Sequence, residues 1–524
     1  MASANATAAS PAGDAPGHIA LPARHHALLT VAVMIAMIMQ ILDTTIANVA
    51  LPHMQASLGA TIDSVTWVLT SYIVASAIAF PLTGWLSGRY GLRNLFLAAV
   101  AGFIIASMLC GISTSLTEIV VFRIFQGVFA AFIGPLSQTV MLDINPPERH
   151  GKAMSVWGMG IMVGPILGPI IGGWLTENYD WRWIFYVNLP IGAVTFAMLW
   201  ALLPSQPLKR RGFDLFGFSM LALALASVQL MLDRGQQLDW LESPEIWVEA
   251  GVAAAGFWVF SVHLATGRNT LFEPRLFANR NFATSLFLIF IVGIVMFATM
   301  ALLPPMLQTI YGYPVIDAGL LVAPRGIGIL VSMFIAGQLI GKVDPRWLIG
   351  SGMILATYSL YLMTGWALDM DARPIIVSGL VQGFGVGLVF VPLNVTAFGT
   401  LPPHLRTDGA AMLNLSRSIG ASAGISLTST FLARNLQTSH ADLSTNVTAF
   451  TSSAVNLQSY GLLGRYGDTA LRSVDAEINR QALMIGYLDD YYLMMIVSAL
   501  SLPLLLLLRR PQVPKAGEPT AVVE

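Results

Sequence analysis

Fourteen runs of about twenty mostly apolar residues dominate this chain, and each is long enough to cross ~30 Å of hydrocarbon as a helix. They fall near 27–52, 64–86, 95–113, 117–140, 152–173, 182–203, 214–233, 245–266, 283–306, 317–340, 347–368, 374–400, 408–432 and 485–508. Charged residues make up 10% of the 524 residues, against ~25% in a soluble domain, so the chain cannot build a soluble surface. The expected fold is all-α and integral to the membrane, with lipid as its main surroundings. A net charge of −1 provides no field for nucleic acid. The lone Cys110 excludes disulfides and cysteine metal clusters. His25–His26 reads as a juxtamembrane pair, so neither a metal nor a cofactor is expected. Residues 1–22 and 511–524 read as disordered cytoplasmic tails, the first lacking the pattern of a signal peptide.

Basic residues orient the spans. With the N-terminus inside, seventeen of the 27 Lys and Arg fall on inner segments. Arg182, Arg234 and Arg373 fall in short outer loops, and Arg123, Arg325 and Arg417 fall within spans. This split fits an even number of spans with both termini cytoplasmic. The chain also repeats itself. Gly84-Trp-Leu-Ser-Gly88-Arg89 returns as Gly337-Gln-Leu-Ile-Gly341-Lys342, and Arg93 returns as Arg346. Gln126-Gly127 with Pro135 resembles Gln382-Gly383 with Pro392, at an offset near 256. The repeat shifts by eight spans, which leaves a 6 + 2 + 6 order. Residues 23–204 form one six-helix bundle and 205–281 a two-helix insert. Residues 282–510 form the second bundle, including an outer loop at 433–484. Two parallel halves around a central cavity is the major facilitator architecture.

Charge within a membrane span is costly and is presumed functional. Asp43 lies about eight residues, or ~12 Å, below the outer end of its helix. Arg123 lies ~9 Å below the outer end of helix 4. These depths match, which predicts an Asp43–Arg123 contact that substrate or water loosens so that the acid loads a proton. Gln40, Asp43, Thr44 and Asn48 share one helical face, as do Arg123, Gln126 and Gln138. Asn414 and Arg417 repeat the pattern on span 13. These stripes predict a watery cavity. Arg325 and Arg417 lie near the midplane, where no acid of the second half is seen, and are candidates for an anionic head-group. Glu118 is a secondary proton candidate at the outer end of helix 4.

The motifs also resemble a family. Leu42-Asp43-Thr44-Thr45-Ile46-Ala47-Asn48 is similar to the helix 1 signature of fourteen-span drug:proton antiporters of the EmrB/QacA group. Gly84 to Arg93 resembles the superfamily's loop 2–3 motif, departing from it at Gly88, where the motif has an acid. Arg123-Ile-Phe-Gln126-Gly127 resembles its helix 4 motif. The Gly164, Pro165, Gly168 and Gly172 run resembles the helix 5 antiporter motif, and Asp180 to Pro190 resembles the group's entry to helix 6. The resemblance implies proton-driven export of small hydrophobic drugs across a bacterial inner membrane, with no cofactor and no enzymatic activity. It gives Gly84, Gly88, Arg89 and Arg93 a gating role and the glycine run a sealing role. It further implies a periplasmic adaptor and an outer-membrane channel, with 433–484 as the adaptor surface. An exporter of one endogenous metabolite or siderophore, or an integral-membrane enzyme or receptor, are the alternatives. The absence of a Gly-x-x-x-x-Gly-Lys-Ser/Thr loop argues against ATP as the driver.

Overall fold

The structure, a computed structural model, describes residues 23–205, 208, 212–267, 269–445 and 457–509. Both expected tails lie outside the described residues. In hydrocarbon every backbone group must bond within its own segment, so the chain folds as helices. Omitting one-turn helices, these are α1 (Ala23–Leu58), α2 (Trp67–Ala79), α3 (Leu82–Tyr90), α4 (Leu92–Ile112), α5 (Leu116–Asp143), α6 (His150–Asn178) and α7 (Asn188–Leu202). The insert follows as α8 (Leu215–Arg234) and α9 (Pro244–Thr266). The second half is α10 (Arg280–Thr309), α11 (Val315–Leu339), α12 (Pro345–Thr364), α13 (Ala372–Gly399), α14 (Arg406–Thr445) and α15 (Leu457–Ser501).

Twelve helices among the described residues are long and apolar enough to cross a membrane, and α2 with α3 makes a thirteenth. That pair covers the expected span at 64–86 and bends by 61° between Ala79 and Leu82. Pro81 has no N–H to offer the Ala77 carbonyl, and the turn after it tightens, with the Thr83 N–H and hydroxyl both donating to the Phe80 carbonyl at 3.1 and 2.7 Å. The fourteenth expected span lies in α14, whose polar face (Asn414, Arg417, Ser418, Ser422) dilutes its hydropathy.

The segment 433–484 departs from the loop that was expected. α14 runs for 40 residues and α15 for 45, so each exceeds the ~20 residues a bilayer needs. Their outer turns are joined by His440 Nε2 to Asp475 Oδ1 at 3.0 Å and by Asn435 Nδ2 to Asp489 Oδ2 at 3.3 Å. The segment therefore leaves the membrane as two helices. Residues 446–456 lie outside the described residues.

The two halves meet about a pseudo-two-fold axis. Gln138 and Asn394, separated by 256 residues, occupy matching places and hydrogen-bond to each other at 2.7 Å. Toward the Arg- and Lys-rich end the halves close. Arg406 pairs with Asp143 at 3.0 Å, and the Ser155 hydroxyl donates to the Met333 carbonyl at 2.6 Å. Gly84 leaves room for the Asp408 carboxyl, and Gly151 for Ile340. Higher up, Ile166 of α6 packs against Gly326 of α11. The insert helix α8 bridges the two halves. Gln229 Nε2 donates to the Ser422 hydroxyl at 2.6 Å, and Thr70 of α2 donates to Asp233.

Candidate functional site

A densely bonded buried ion pair lies inside the first half. α1 and α5 run in opposite directions, and their depths bring Asp43 and Arg123 together at 2.7 Å, with both side chains 1% exposed. Asp43 accepts three donors. Arg123 Nη1 donates to Oδ2, while Gln126 Nε2 and Asn188 Nδ2 each donate to Oδ1 at 2.8 Å. Arg123 also donates to the Val68 carbonyl at 3.0 Å and to Gln126 Oε1 at 2.7 Å. Its guanidinium lies 4.2 Å from the Tyr72 ring centre. Gly127 permits this approach, since a Cβ there would overlap the Tyr72 carbonyl. Asn188, at the start of α7, is anchored in turn by a 3.0 Å bond to Ser107. This carboxylate is charge-paired and saturated by donors inside a span, an arrangement that stabilises an anion at a depth where an isolated one is costly.

A second polar cluster sits on the axis between the halves. Asn414 Nδ2 donates to Gln138 Oε1 at 3.1 Å, and Arg417 Nη2 donates to Asn414 Oδ1 at 2.7 Å. The Arg417 guanidinium lies 5.9 Å from the Phe390 ring, which stacks on Trp157. Gln40 reaches the same place beside Gly134. The sequence predicts a watery cavity here. The structure instead brings the polar stripes against one another and leaves about 10 Å³, room for roughly one water. The reason is geometric: with the halves drawn together, side chains that would face solvent satisfy one another.

Other predicted residues stand apart from both clusters. Thr44 bonds to the Ile41 carbonyl at 2.7 Å, and Asn48 is exposed on α1. Glu118 is exposed and caps its own helix, accepting from the Thr114 N–H at 2.8 Å, so it does not join the Asp43 network. Neither midplane arginine has an acid partner among the described residues: Arg417 donates to Asn414, and Arg325 Nη2 donates to the Met296 carbonyl at 3.0 Å. Gly164, Gly168 and Gly172 seat Ile41, Thr45 and Ile46 of α1. They tighten one half and do not form a seam between halves, and Pro165 lies half-buried on the same helix. Gly84 does face the other half at Asp408, whereas Gly88 is half-buried. Arg89 lies 6.0 Å from the Trp85 ring, and Arg93 donates to the Trp200 carbonyl at 2.6 Å, so both act within the first half.

Sequence reasoning missed three residues. Asn188 was quoted within a motif but given no role, because its helix is remote in sequence from Asp43. Tyr72 carries no charge to mark it. Asp490 of α15 is fully buried, and neither carboxylate oxygen has a hydrogen-bond partner among the described residues. It is a buried acid of the second half, near the outer end of its span.

Twelve or more apolar helices in two pseudo-symmetric bundles, with a charge-paired acid inside one of them, define a multi-pass secondary transporter. Residues 33–425 match the family model described as Major Facilitator Superfamily. The chain is 35% identical to the multidrug export protein EmrB of Escherichia coli K12, over 89% of this chain and 92% of that protein. It is 34% identical to the fatty acid resistance protein FarB of Neisseria gonorrhoeae, over 93% and 96%. Two solved structures share the fold at 14% identity. The human organic anion transporter MFSD10 superposes with a TM-score of 0.60, covering 91% of this chain and all of that one. The proton:xylose symporter XylE gives 0.58, covering 92% and 95%. The chain belongs to the Major Facilitator Superfamily, among its EmrB-like members.

Proposed function

We propose that the chain is a proton-coupled antiporter that exports hydrophobic toxic compounds across the bacterial inner membrane by alternating access. The carrying observation is Asp43, a carboxylate inside a span, held by Arg123, Gln126 and Asn188. One carboxylate suffices to carry a proton, and the movement of one charge through ~100 mV supplies ~2.3 kcal/mol. At ~1.4 kcal/mol per tenfold, that drives roughly a forty-fold drug gradient. No cofactor is needed for this cycle. Loosening the Arg123 contact lets Asp43 take a proton from outside, and restoring it on the inner side releases that proton. The apolar side chains beside the central cluster (Trp157, Ile289, Phe390, Leu413) suit a greasy cargo once the halves separate. Multidrug export and fatty acid resistance in the names of relatives support hydrophobic cargo of this kind.

We further propose that the outer turns of α14 and α15 meet a periplasmic adaptor, which passes cargo to an outer-membrane channel. The length of these helices beyond a single span supports that reading. The test of the core proposal is Asp43→Asn. This variant should still insert into the membrane, at a cost in stability from the stranded Arg123 charge, yet fail to export drug against a gradient. Normal efflux would remove Asp43 from the mechanism.

A further inference from the structure

The repeat lays a second site over the first. Asp43, Gln126 and Gly127 correspond, 256 residues on, to Thr299, Gln382 and Gly383, and Tyr72 corresponds, 253 residues on, to Arg325. The contacts repeat with the residues. A Cβ on Gly127 would meet the Tyr72 carbonyl, and one on Gly383 would meet the Arg325 carbonyl. Gln126 Nε2 donates to Asp43 at 2.8 Å, and Gln382 Nε2 donates to Thr299 Oγ1 at 3.2 Å. Two features differ. A threonine stands where the first half has its acid. Gly379 stands where it has Arg123, and the cation comes instead from Arg325 on α11, lying against Gly379.

This second site has a cation and lacks the acid. Arg325 is 4% exposed. Its Nη2 is bound to the Met296 carbonyl, one helical turn before Thr299, while its Nη1 has no hydrogen-bond partner among the described residues. Gln382 Oε1 is likewise buried and without a partner among them. The charged residues on the neighbouring span segments are few. α10 has Arg280 at its inner end alone, α13 has Arg373 at its outer end, α11 has exposed Asp317 two turns outward, α14 has Arg417, and α15 has the buried Asp490, which makes no ion pair with Arg325. A guanidinium buried in a membrane with a spare N–H calls for an anion, and its planar fork suits a carboxylate.

Building on the export reading above, we infer that Arg325, with Gln382 and Thr299, forms a binding site for the carboxylate of an amphiphilic acid carried as cargo. The ligand provides the acid that the first half provides from its own chain. A half-turn of the Gln382 amide presents a second N–H donor to it. A void of about 30 Å³ lined by Leu288, Val292, Val295 and Met296 reaches the turn whose Met296 carbonyl holds Arg325, so the apolar part of the ligand meets apolar side chains there once the site opens. Access follows the transport cycle. Arg325 adjoins Gly326, on which Ile166 of the other half packs, so movement of the halves at that seam shifts the turn of α11 that carries Arg325.

The test uses benzoate as the probe, with uncharged benzamide and chloride as controls, and equilibrium binding to the full chain in lipid nanodiscs. Arg325→Gln removes the cation. Thr299→Asp keeps Arg325 and fills the site with a built-in carboxylate. Both should weaken benzoate binding by about thirtyfold or more and leave benzamide unaffected, and in the wild type chloride should not compete. Equilibrium binding needs no proton gradient, so failure of this site shows here, whereas failure of the coupling reading shows only in the efflux assay of Asp43→Asn; Glu118→Gln, at an exposed helix cap away from both sites, should leave benzoate binding within about twofold. Absence of benzoate binding by the wild type overturns the inference. Equal binding by Thr299→Asp and wild type overturns it also, as does displacement of benzoate by chloride.

Discussion

Replacing Arg123 by Met removes the cation and keeps much of the side-chain length. Asp43 would then remain fully buried with two amide donors, Gln126 and Asn188, in place of three donors and a charge. The Val68 carbonyl and Gln126 Oε1 would lose a donor as well. Breaking a buried ion pair by deleting one partner costs about 3–5 kcal/mol, because the other charge is left uncompensated. The Arg123→Met variant should lose that much stability. Adding Asp43→Asn removes the second charge, and the double variant should return to within about 2 kcal/mol of wild type. Unfolding in mixed micelles of denaturing detergent, followed by the fluorescence of the 12 tryptophans, measures all four corners of the cycle. A double variant no more stable than Arg123→Met alone would refute the reasoning, since it would mean that the cost came from packing and not from a stranded charge.

Further outcomes follow from the contacts between and within the halves. Arg406→Gln breaks the half-buried bond to Asp143 and should open the cytoplasmic end, seen as faster thiol labelling of Ser155→Cys from that side. Unchanged labelling would show that the pair does not hold that end closed. Gly84→Val places side-chain atoms where the Asp408 carboxyl lies in the closed form; transport should fall by at least about tenfold while thermal stability changes little. Gly168→Leu should act in the opposite way, because Gly168 seats Thr45 within one half. A loss of about 1–3 kcal/mol in stability is expected, and a variant as stable as wild type would contradict that packing role.

Much of this could be read from the sequence because a membrane converts residue counts into depths. Asp43 and Arg123 are 80 residues apart, yet counting at ~1.5 Å per residue along antiparallel helices puts them at one level. The same count says nothing of rotation about a helix axis, so it could not show that Asn188 and Tyr72 face the pair. Gln138, Asn414 and Arg417 were legible as polar stripes, whereas their mutual bonding depends on how closely the halves approach, which no local pattern encodes. The 433–484 segment was read as a loop because its hydropathy falls. Helices that leave the bilayer turn polar without ceasing to be helices, and α14 and α15 do so. Gly164, Gly168 and Gly172 announced a close helix contact, but spacing alone could not say that the partner is α1 of the same half.

The central claim is that movement of a proton at Asp43 drives cargo outward. The most direct measurement reconstitutes the purified chain in liposomes with a fluorescent hydrophobic dye and an imposed pH gradient, acid on the face that receives the dye. Wild type should carry the dye against its own gradient, about tenfold for each coupled proton per pH unit, and should stop when an ionophore collapses the proton gradient. Asp43→Asn should show no uphill movement at any imposed gradient. Uphill transport that survives the collapse, or that Asp43→Asn performs as well as wild type, would contradict the account.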